Sequence, residues 1–172
     1  MTAGTDKYER IYAAERNALG RPAPQVRAAL QRLDAPADVL DLGCGQGRDA
    51  LPFARAGHRV VAVDMAASGL AQLAEDAGTE DLPIVCQQAD LAGYRPDGWF
   101  DLILADRVLH MMDPPDRLGL MRRAIGCLKP GGRVLILDEA RNIPALRTLF
   151  DPEGWDMEVQ SKTCIGAWRT DG

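Results

Sequence analysis

The stretch VLDLGCGQGRDA, Val39 to Ala50, carries an apolar run to an acidic residue and then sets glycines at positions 43, 45 and 47. A strand that stops, bares its backbone and turns into a helix is built to receive something against its main chain. Gly43 and Gly45 permit unusual backbone angles and put no Cβ in the way. Asp41 and Cys44 lie beside them, and the first turn of a following helix offers free N–H groups. Asp64 ends the next apolar run, HRVVAVD, 21 residues after Gly43. A carboxylate there can accept hydrogen bonds from both hydroxyls of a ribose. Asp90 ends a third run, PIVCQQAD, where an acidic side chain can meet the exocyclic amine of an adenine. Taken singly, such residues also serve as helix N-caps. In this order they predict an adenosine held across three strand ends.

A dinucleotide is the first rival. Its fingerprint, G-x-G-x-x-G, uses a third glycine for close helix packing and a helix N-terminus to hold a pyrophosphate. Here the spacing is G-x-G-x-G and the sixth position is Arg48, which points away from NAD. KPGG, Lys129 to Gly132, reads as a turn into a strand and not as a phosphate loop. DPPD, Asp113 to Asp116, resembles a base-methylation motif but lacks the stacking aromatic. Pro114 and Pro115 are better placed as a helix start with Asp113 as N-cap.

The elements that position these residues alternate. Helices are expected over residues 5–19 and 24–33, with Val26, Ala29, Leu30 and Leu33 on one stripe of the second. ADVLDL reads as a strand, GRDALPFARAG as a helix closed by Gly57, HRVVAVD as a strand and ASGLAQLAEDAG as a helix. PIVCQQAD and WFDLILAD follow as strands, then PPDRLGLMRRAIGCL as a helix with Leu118, Met121, Ile125 and Leu128 inward, then GGRVLILDE as a strand. Near-continuous apolar strands alternating with helices mean a parallel sheet covered on both faces. WDMEVQS and CIGAWRT are joined too closely for anything but an antiparallel hairpin. Trp99, Trp155 and Trp168 read as structural residues, and His58, opening a strand after a turn, as a solvated one.

The totals narrow the function classes. The chain of 172 residues suffices for one domain, and 47% apolar residues fit an ordinary globule. Lys plus Arg number 20 against 25 Asp plus Glu, a net charge of -5, which disfavours a nucleic-acid groove. No apolar run approaches ~18 residues, so no membrane span is expected. The N-terminal stretch lacks the apolar core of a signal peptide. Four scattered cysteines, Cys44, Cys86, Cys127 and Cys164, form no C-x-x-C pair, so neither zinc nor a disulfide frame is expected. A cytoplasmic location follows as the expectation.

With those motifs in order, the chain resembles class I methyltransferases that use S-adenosylmethionine, over about residues 37–138. VLDLGCGQGRDALPFARAGHRVVAVD, QQADL, FDLILADRVLHMM and LKPGGRVLIL carry the resemblance. GQGRDALPFARAGHRV is most similar to the small branch containing tellurite-resistance and thiopurine methyltransferases. The resemblance implies a Rossmann-like, doubly wound α/β sheet ordered 3-2-1-4-5-7-6, parallel except for its C-terminal hairpin. It implies a single domain over residues 1–172, with a helical cap at 1–34, a cofactor-binding core at 35–138 and an acceptor-side segment and hairpin at 139–172. Gly43, Cys44 and Gly45 would then adjoin the methionine part of S-adenosylmethionine, with Asp41 a cofactor-binding acceptor beside the loop. Asp64 would hold the ribose and Met65 would pack on the adenine. Ala89, Asp90 and Leu91 would meet the base edge, and Ala105 and Asp106 would close the site.

Methyl transfer is an in-line displacement in which the cofactor brings the activated carbon and the protein positions the reactants. A thiolate, or a selenium or tellurium oxyanion, needs no base, whereas a hydroxyl or protonated amine does. His110 is the histidine placed to serve as one, with Asp106 and Glu139 as further candidates. Arg48, Arg107 and Arg141 could favour an anionic acceptor. The reading favoured is methyl transfer to a small molecule with a soft S, Se or Te nucleophile, releasing S-adenosylhomocysteine. The alternative is a non-catalytic S-adenosylmethionine-binding regulatory or partner subunit, because only residues 140–155 separate the last parallel strand from the hairpin. So short an acceptor region would be shallow, open to a large substrate, or completed by a partner subunit, a homodimer being one such arrangement.

Overall fold

The computed structural model describes residues 3–170. The outermost positions of the expected domain, residues 1–2 and 171–172, lie outside the described residues. A seven-stranded sheet runs in the order β3-β2-β1-β4-β5-β7-β6, as the resemblance implied. The chain divides into two compact units, one up to Leu91 and one from Ala92.

The first unit contains α1 (Ala3–Ala14), α2 (Pro24–Arg32), β1 (Asp38–Leu42), α3 (Ala50–Arg55), β2 (Arg59–Asp64), α4 (Ala67–Thr79) and β3 (Ile84–Gln88). β2 pairs in parallel with β1 on one side and β3 on the other, with Leu42 opposite Val63 and Asp64 opposite Gln88. Val39, Leu40, Leu42, Ala62 and Val63 are fully buried, as a strand covered on both faces requires. Phe53 of α3 and Leu73 of α4 complete that core. His58 is 1% exposed and its ring lies 5.8 Å from that of Phe53, so the solvated position expected for it is wrong. A ring sandwiched where α3 hands over to β2 carries no sequence mark that separates it from a surface histidine.

Residues 5–19 do not form one helix. α1 ends at Ala14, Asn17 takes a φ of +56° and Gly20 donates to the Asn17 carbonyl. The side chain of Gln46 bonds the Glu15 carbonyl and the Ala18 N–H, so tertiary partners claim the backbone that a longer helix would have used.

The second unit contains β4 (Phe100–Asp106), a single 3₁₀ turn (Leu109–Met111), α5 (Pro114–Ile125), β5 (Leu128–Leu137), α6 (Ile143–Arg147), β6 (Trp155–Gln160) and β7 (Cys164–Arg169). β4 and β5 are parallel, while β5–β7 and β6–β7 are antiparallel. KPGG is taken into β5 rather than preceding it. The register jumps from Phe100 opposite Leu128 to Leu102 opposite Arg133, and Gly131 at φ +70° lets the strand absorb the surplus residues. On α5 the buried residues are Arg117, Leu120, Met121 and Ala124, while the expected Leu118 and Ile125 are only half-buried. Asp113 is the N-cap residue, with proline in the first turn. Of the three tryptophans only Trp155 is buried, edge-on to Phe150 at 5.0 Å, whereas Trp99 is 62% exposed and Trp168 39%.

Candidate active site

The glycine loop of the first unit is shaped by β2. The N–H groups of Gly43 and Cys44 both donate to the Val63 carbonyl, at 2.8 and 3.1 Å. Gly43, Gly45 and Gly47 all take positive φ, between +54° and +83°. The Gly45 N–H donates to Oδ2 of Asp64 at 2.8 Å, and the Ala66 N–H donates to Oδ1 at the same distance. The side chain is thus fixed from both sides. Burial raises the Asp64 carboxyl above its ordinary value, the N–H groups of Ala66, Gly45 and Met65 oppose that rise, and the charge of Glu9 adds to it.

Helix α1 covers this loop. A Cβ added at Gly45 would stand 2.5 Å from the Tyr12 hydroxyl, so that phenol fills the space the missing side chain leaves. Burial, then the charge of Asp64, hold the Tyr12 hydroxyl far above its ordinary value, so it is a neutral donor at physiological pH. Glu9 of the same helix bonds the Ser68 N–H at 3.2 Å and also its hydroxyl, capping α4 from outside. Gln72 of α4 donates to the Tyr12 carbonyl at 2.6 Å and accepts from Gln46 at 2.7 Å. Arg16 pairs with Glu75 at 2.8 Å and with Asp76.

Asp41 is 2% exposed. Burial first, then Asp41 and Asp64, push the Cys44 thiol up, so it is no nucleophile at neutral pH. Met65 is half-buried beside Asp64, and its carbonyl accepts from Gln88 at 3.2 Å. The Ala89 N–H donates to the Asp64 carbonyl at 3.0 Å, Asp90 is exposed just past β3, and Leu91 is buried. The structure therefore joins the loop, Asp64 and the end of β3 through main-chain bonds. Tyr12, Glu9 and Gln46 were missed by sequence reasoning. Only the position of Gln46 inside GCGQG could have drawn attention.

In the second unit Ala105 and Asp106 end β4, both buried. Arg107 follows at φ +55°, a strained conformation for a long side chain, and its Nε reaches Asp106 Oδ1 at 3.1 Å. His110 sits in the 3₁₀ turn with Nδ1 3.9 Å from Oδ1 of Asp138, which follows β5. That oxygen accepts from the Glu139 N–H at 2.5 Å and from Asn142 at 3.1 Å. Asp138 was missed because its partner arrives from another strand end. The three arginines expected to recognise an anion are each engaged by an adjacent carboxylate: Arg48 by Asp49 at 2.9 Å, Arg107 by Asp106 at 3.1 Å and Arg141 by Glu139 at 2.6 Å. The last pair also draws Glu139 away from acting as a base. Among the described residues, no group of three or more acidic, histidine or cysteine side chains could hold a metal ion.

Comparison with known proteins gives this geometry a family. The profile of a methyltransferase domain matches residues 39–132, more than half of the chain. A 2-heptyl-1-hydroxyquinolin-4(1H)-one methyltransferase from Mycobacteroides abscessus is 29% identical over 137 residues, covering 77% of this chain and 60% of that protein. A ubiquinone biosynthesis O-methyltransferase from a Bradyrhizobium strain is 35% identical over 105 residues, covering 60% of this chain and 40% of the relative. The chain thus spans from under half to about three fifths of the length of these relatives. The N-methyltransferase NodS of Bradyrhizobium japonicum, solved with S-adenosylhomocysteine, shares the fold with a TM-score of 0.73 at 18% identity over 98% of both chains. TehB of Haemophilus influenzae does so with a TM-score of 0.69 at 17% identity, over 86% of this chain and 61% of that one. The chain belongs to the methyltransferase domain family.

Proposed function

We propose that this protein binds S-adenosylmethionine on its glycine loop and transfers the methyl group to a small-molecule acceptor. The observation that carries the reading is Asp64, locked to the loop it must work with by the Gly45 and Ala66 N–H groups at 2.8 Å. The residues present fit such a ligand. Asp41, Asp64 and Glu9 make the cradle acidic, which suits a sulfonium and an uncharged ribose and opposes a pyrophosphate. Residues 45–49 form turns and α3 starts only at Ala50, so no long helix presents its N-terminus to the loop as phosphate binding requires.

When bound, the cofactor supplies an activated methyl carbon on a positively charged sulfur. The chain's residues bind and orient. The Asp64 carboxylate accepts from the ribose hydroxyls, Met65 packs on the adenine, and Asp90 takes its exocyclic amine. Gly43, Cys44 and Gly45 admit the methionine part, with Tyr12 shielding it from water. Alignment of this kind removes several kcal/mol of barrier, on the order of the gains of well-oriented intramolecular reactions. We favour a soft sulfur, selenium or tellurium nucleophile, on the similarity of GQGRDALPFARAGHRV to the tellurite-resistance and thiopurine branch. Four free thiols support a cytoplasmic location.

Titration calorimetry with S-adenosylhomocysteine and, separately, NAD tests the reading. Binding of the first and not the second is expected, with at least a tenfold loss in Asp64→Ala. Equal affinity in that variant, or no binding by the parent, overturns it. Binding without product across a broad acceptor screen would favour a regulatory subunit.

A further inference from the structure

Tyr12 is wedged between two glycines of the first unit. A Cβ added at Gly69 of α4 would stand 2.9 Å from Tyr12 Cδ2, and one added at Gly45 would stand 2.5 Å from the hydroxyl. The ring lies in a slot for which bare backbone makes room, and it carries the hydroxyl over the glycine loop. Tyr12 is 4% exposed. Its carbonyl accepts from Gln72 at 2.6 Å, yet among the described residues its hydroxyl bonds to no group. The fold leaves this donor unspent. The loop beneath it has little to add. The N–H groups of Gly43 and Cys44 go to the Val63 carbonyl, that of Gly47 to the Cys44 carbonyl and that of Gly45 to Asp64.

We infer that Tyr12 is a cofactor-binding residue whose hydroxyl donates a hydrogen bond to the carboxylate of the methionine part of S-adenosylmethionine. The inference rests on the cofactor named in the proposed function and deepens it. The methionine part carries two positive groups, the sulfonium and the ammonium, and one negative group, the carboxylate. Asp41, Asp64 and Glu9 suit the two cations and repel the carboxylate. The carboxylate therefore needs a donor that brings no negative charge. Burial and the charges of Asp64, Tyr8 and Cys44 keep the Tyr12 hydroxyl protonated, and the charge of Arg48 acts on it in the opposite sense. The hydroxyl thus stays a donor at neutral pH. Arg48, paired with Asp49 at 2.9 Å, brings a cation into electrostatic range of the same point. A hydrogen bond to a charged acceptor is stronger than one between neutral groups. The tail of the ligand is then read by α1, the helix that covers the loop, and discrimination between ligands with and without a carboxylate falls to one phenol.

Tyr12→Phe removes the oxygen and keeps the ring in its slot. The two probes are S-adenosylhomocysteine and its decarboxylated analogue, which differs from it only in lacking the carboxylate. In titration calorimetry Tyr12→Phe should lose about tenfold in affinity for S-adenosylhomocysteine, the scale of one hydrogen bond to a charged group. Parent and variant should bind the analogue equally. Carbon NMR of protein labelled at tyrosine Cζ gives a second readout that tolerates weak binding. The chain has three tyrosines, so the Tyr12 signal is assigned by its absence in Tyr12→Phe. That signal should shift on saturation with S-adenosylhomocysteine and stay nearly in place on saturation with the analogue. Without ligand, the urea midpoints of parent and variant should agree, because the hydroxyl has no partner in the fold. Parent-like affinity of Tyr12→Phe for S-adenosylhomocysteine, an equal loss on both ligands, or a Tyr12 signal that answers both alike overturns the inference. Failure of the parent to bind S-adenosylhomocysteine would instead overturn the cofactor reading itself.

Discussion

Tyr12 and Gly45 are matched in shape: the phenol of α1 occupies the volume that any side chain at position 45 would need, 2.5 Å from the site of its Cβ. Gly45 also sits at φ +54°, where an L-residue costs about 1–2 kcal/mol. Gly45→Ala should therefore lower the unfolding free energy by more than that conformational term, because Tyr12 must also move. Tyr12→Phe should not. Urea unfolding of both variants checks this, and an Ala variant as stable as the parent would mean that α1 does not press on the loop.

Gln46 ties the same helix down. It bonds the Glu15 carbonyl at 2.6 Å, the Ala18 N–H at 2.9 Å and Gln72 at 2.7 Å while being 6% exposed. At about 0.5–1.5 kcal/mol net per hydrogen bond, Gln46→Ala should cost roughly 2–4 kcal/mol. The loss should be local. Trypsin should cut faster at Arg16 in the variant, and S-adenosylhomocysteine should slow that cleavage. Parent-like cleavage would show that the segment is held by other contacts.

These two contacts mark where sequence reading stops. The strands were legible because Val39 to Leu42 and Leu102 to Ala105 are unbroken buried runs, and burial on both faces writes itself as continuous hydrophobicity. The glycine loop and Asp64 were legible because a turn against a ligand demands special residue types at fixed offsets. Tyr12, Gln46 and Asp138 work through tertiary neighbours many residues away, and no spacing rule reports such partners. The stripe on α5 slipped for a related reason. Arg117 is buried because its guanidinium donates to the Met112 carbonyl, a compensation that a hydrophobicity pattern does not register.

The raised carboxyl of Asp64 makes its contribution to stability depend on pH. A carboxyl whose folded value lies above its unfolded one binds more protons in the folded state. Its stabilising effect is complete below the ordinary value of 3.8 and is lost as pH rises through the raised folded value. Above that window the ionised side chain is a standing cost, kept for binding. The difference in unfolding free energy between parent and Asp64→Asn should thus fall as pH rises from the acid range to neutrality, while affinity for S-adenosylhomocysteine is lower in the variant at neutral pH. A difference that stays flat or grows with pH would show that burial does not penalise the charge.

Cys164 offers a separate check on the second unit. Burial first, and then the nearby charge of Asp106, push its thiol up to about 11. The thiol is fully buried on β7 and Cys44 is buried within the glycine loop, whereas Cys86 and Cys127 are half-buried. Alkylation needs both access and thiolate. Iodoacetamide at neutral pH should label Cys86 and Cys127 first, and Cys44 and Cys164 only on unfolding. The same shift has a thermodynamic sign. The unfolded thiol ionises near 9.0 and the folded one near 11, so the unfolded chain sheds its proton first. Stability should fall as pH rises through that interval, and Cys164→Ala should flatten the fall. Peptide mapping after timed labelling, with melting curves across the alkaline range, decides both points. Early labelling of Cys164, or an unchanged alkaline slope in the variant, would mean that β7 opens to solvent in the folded protein.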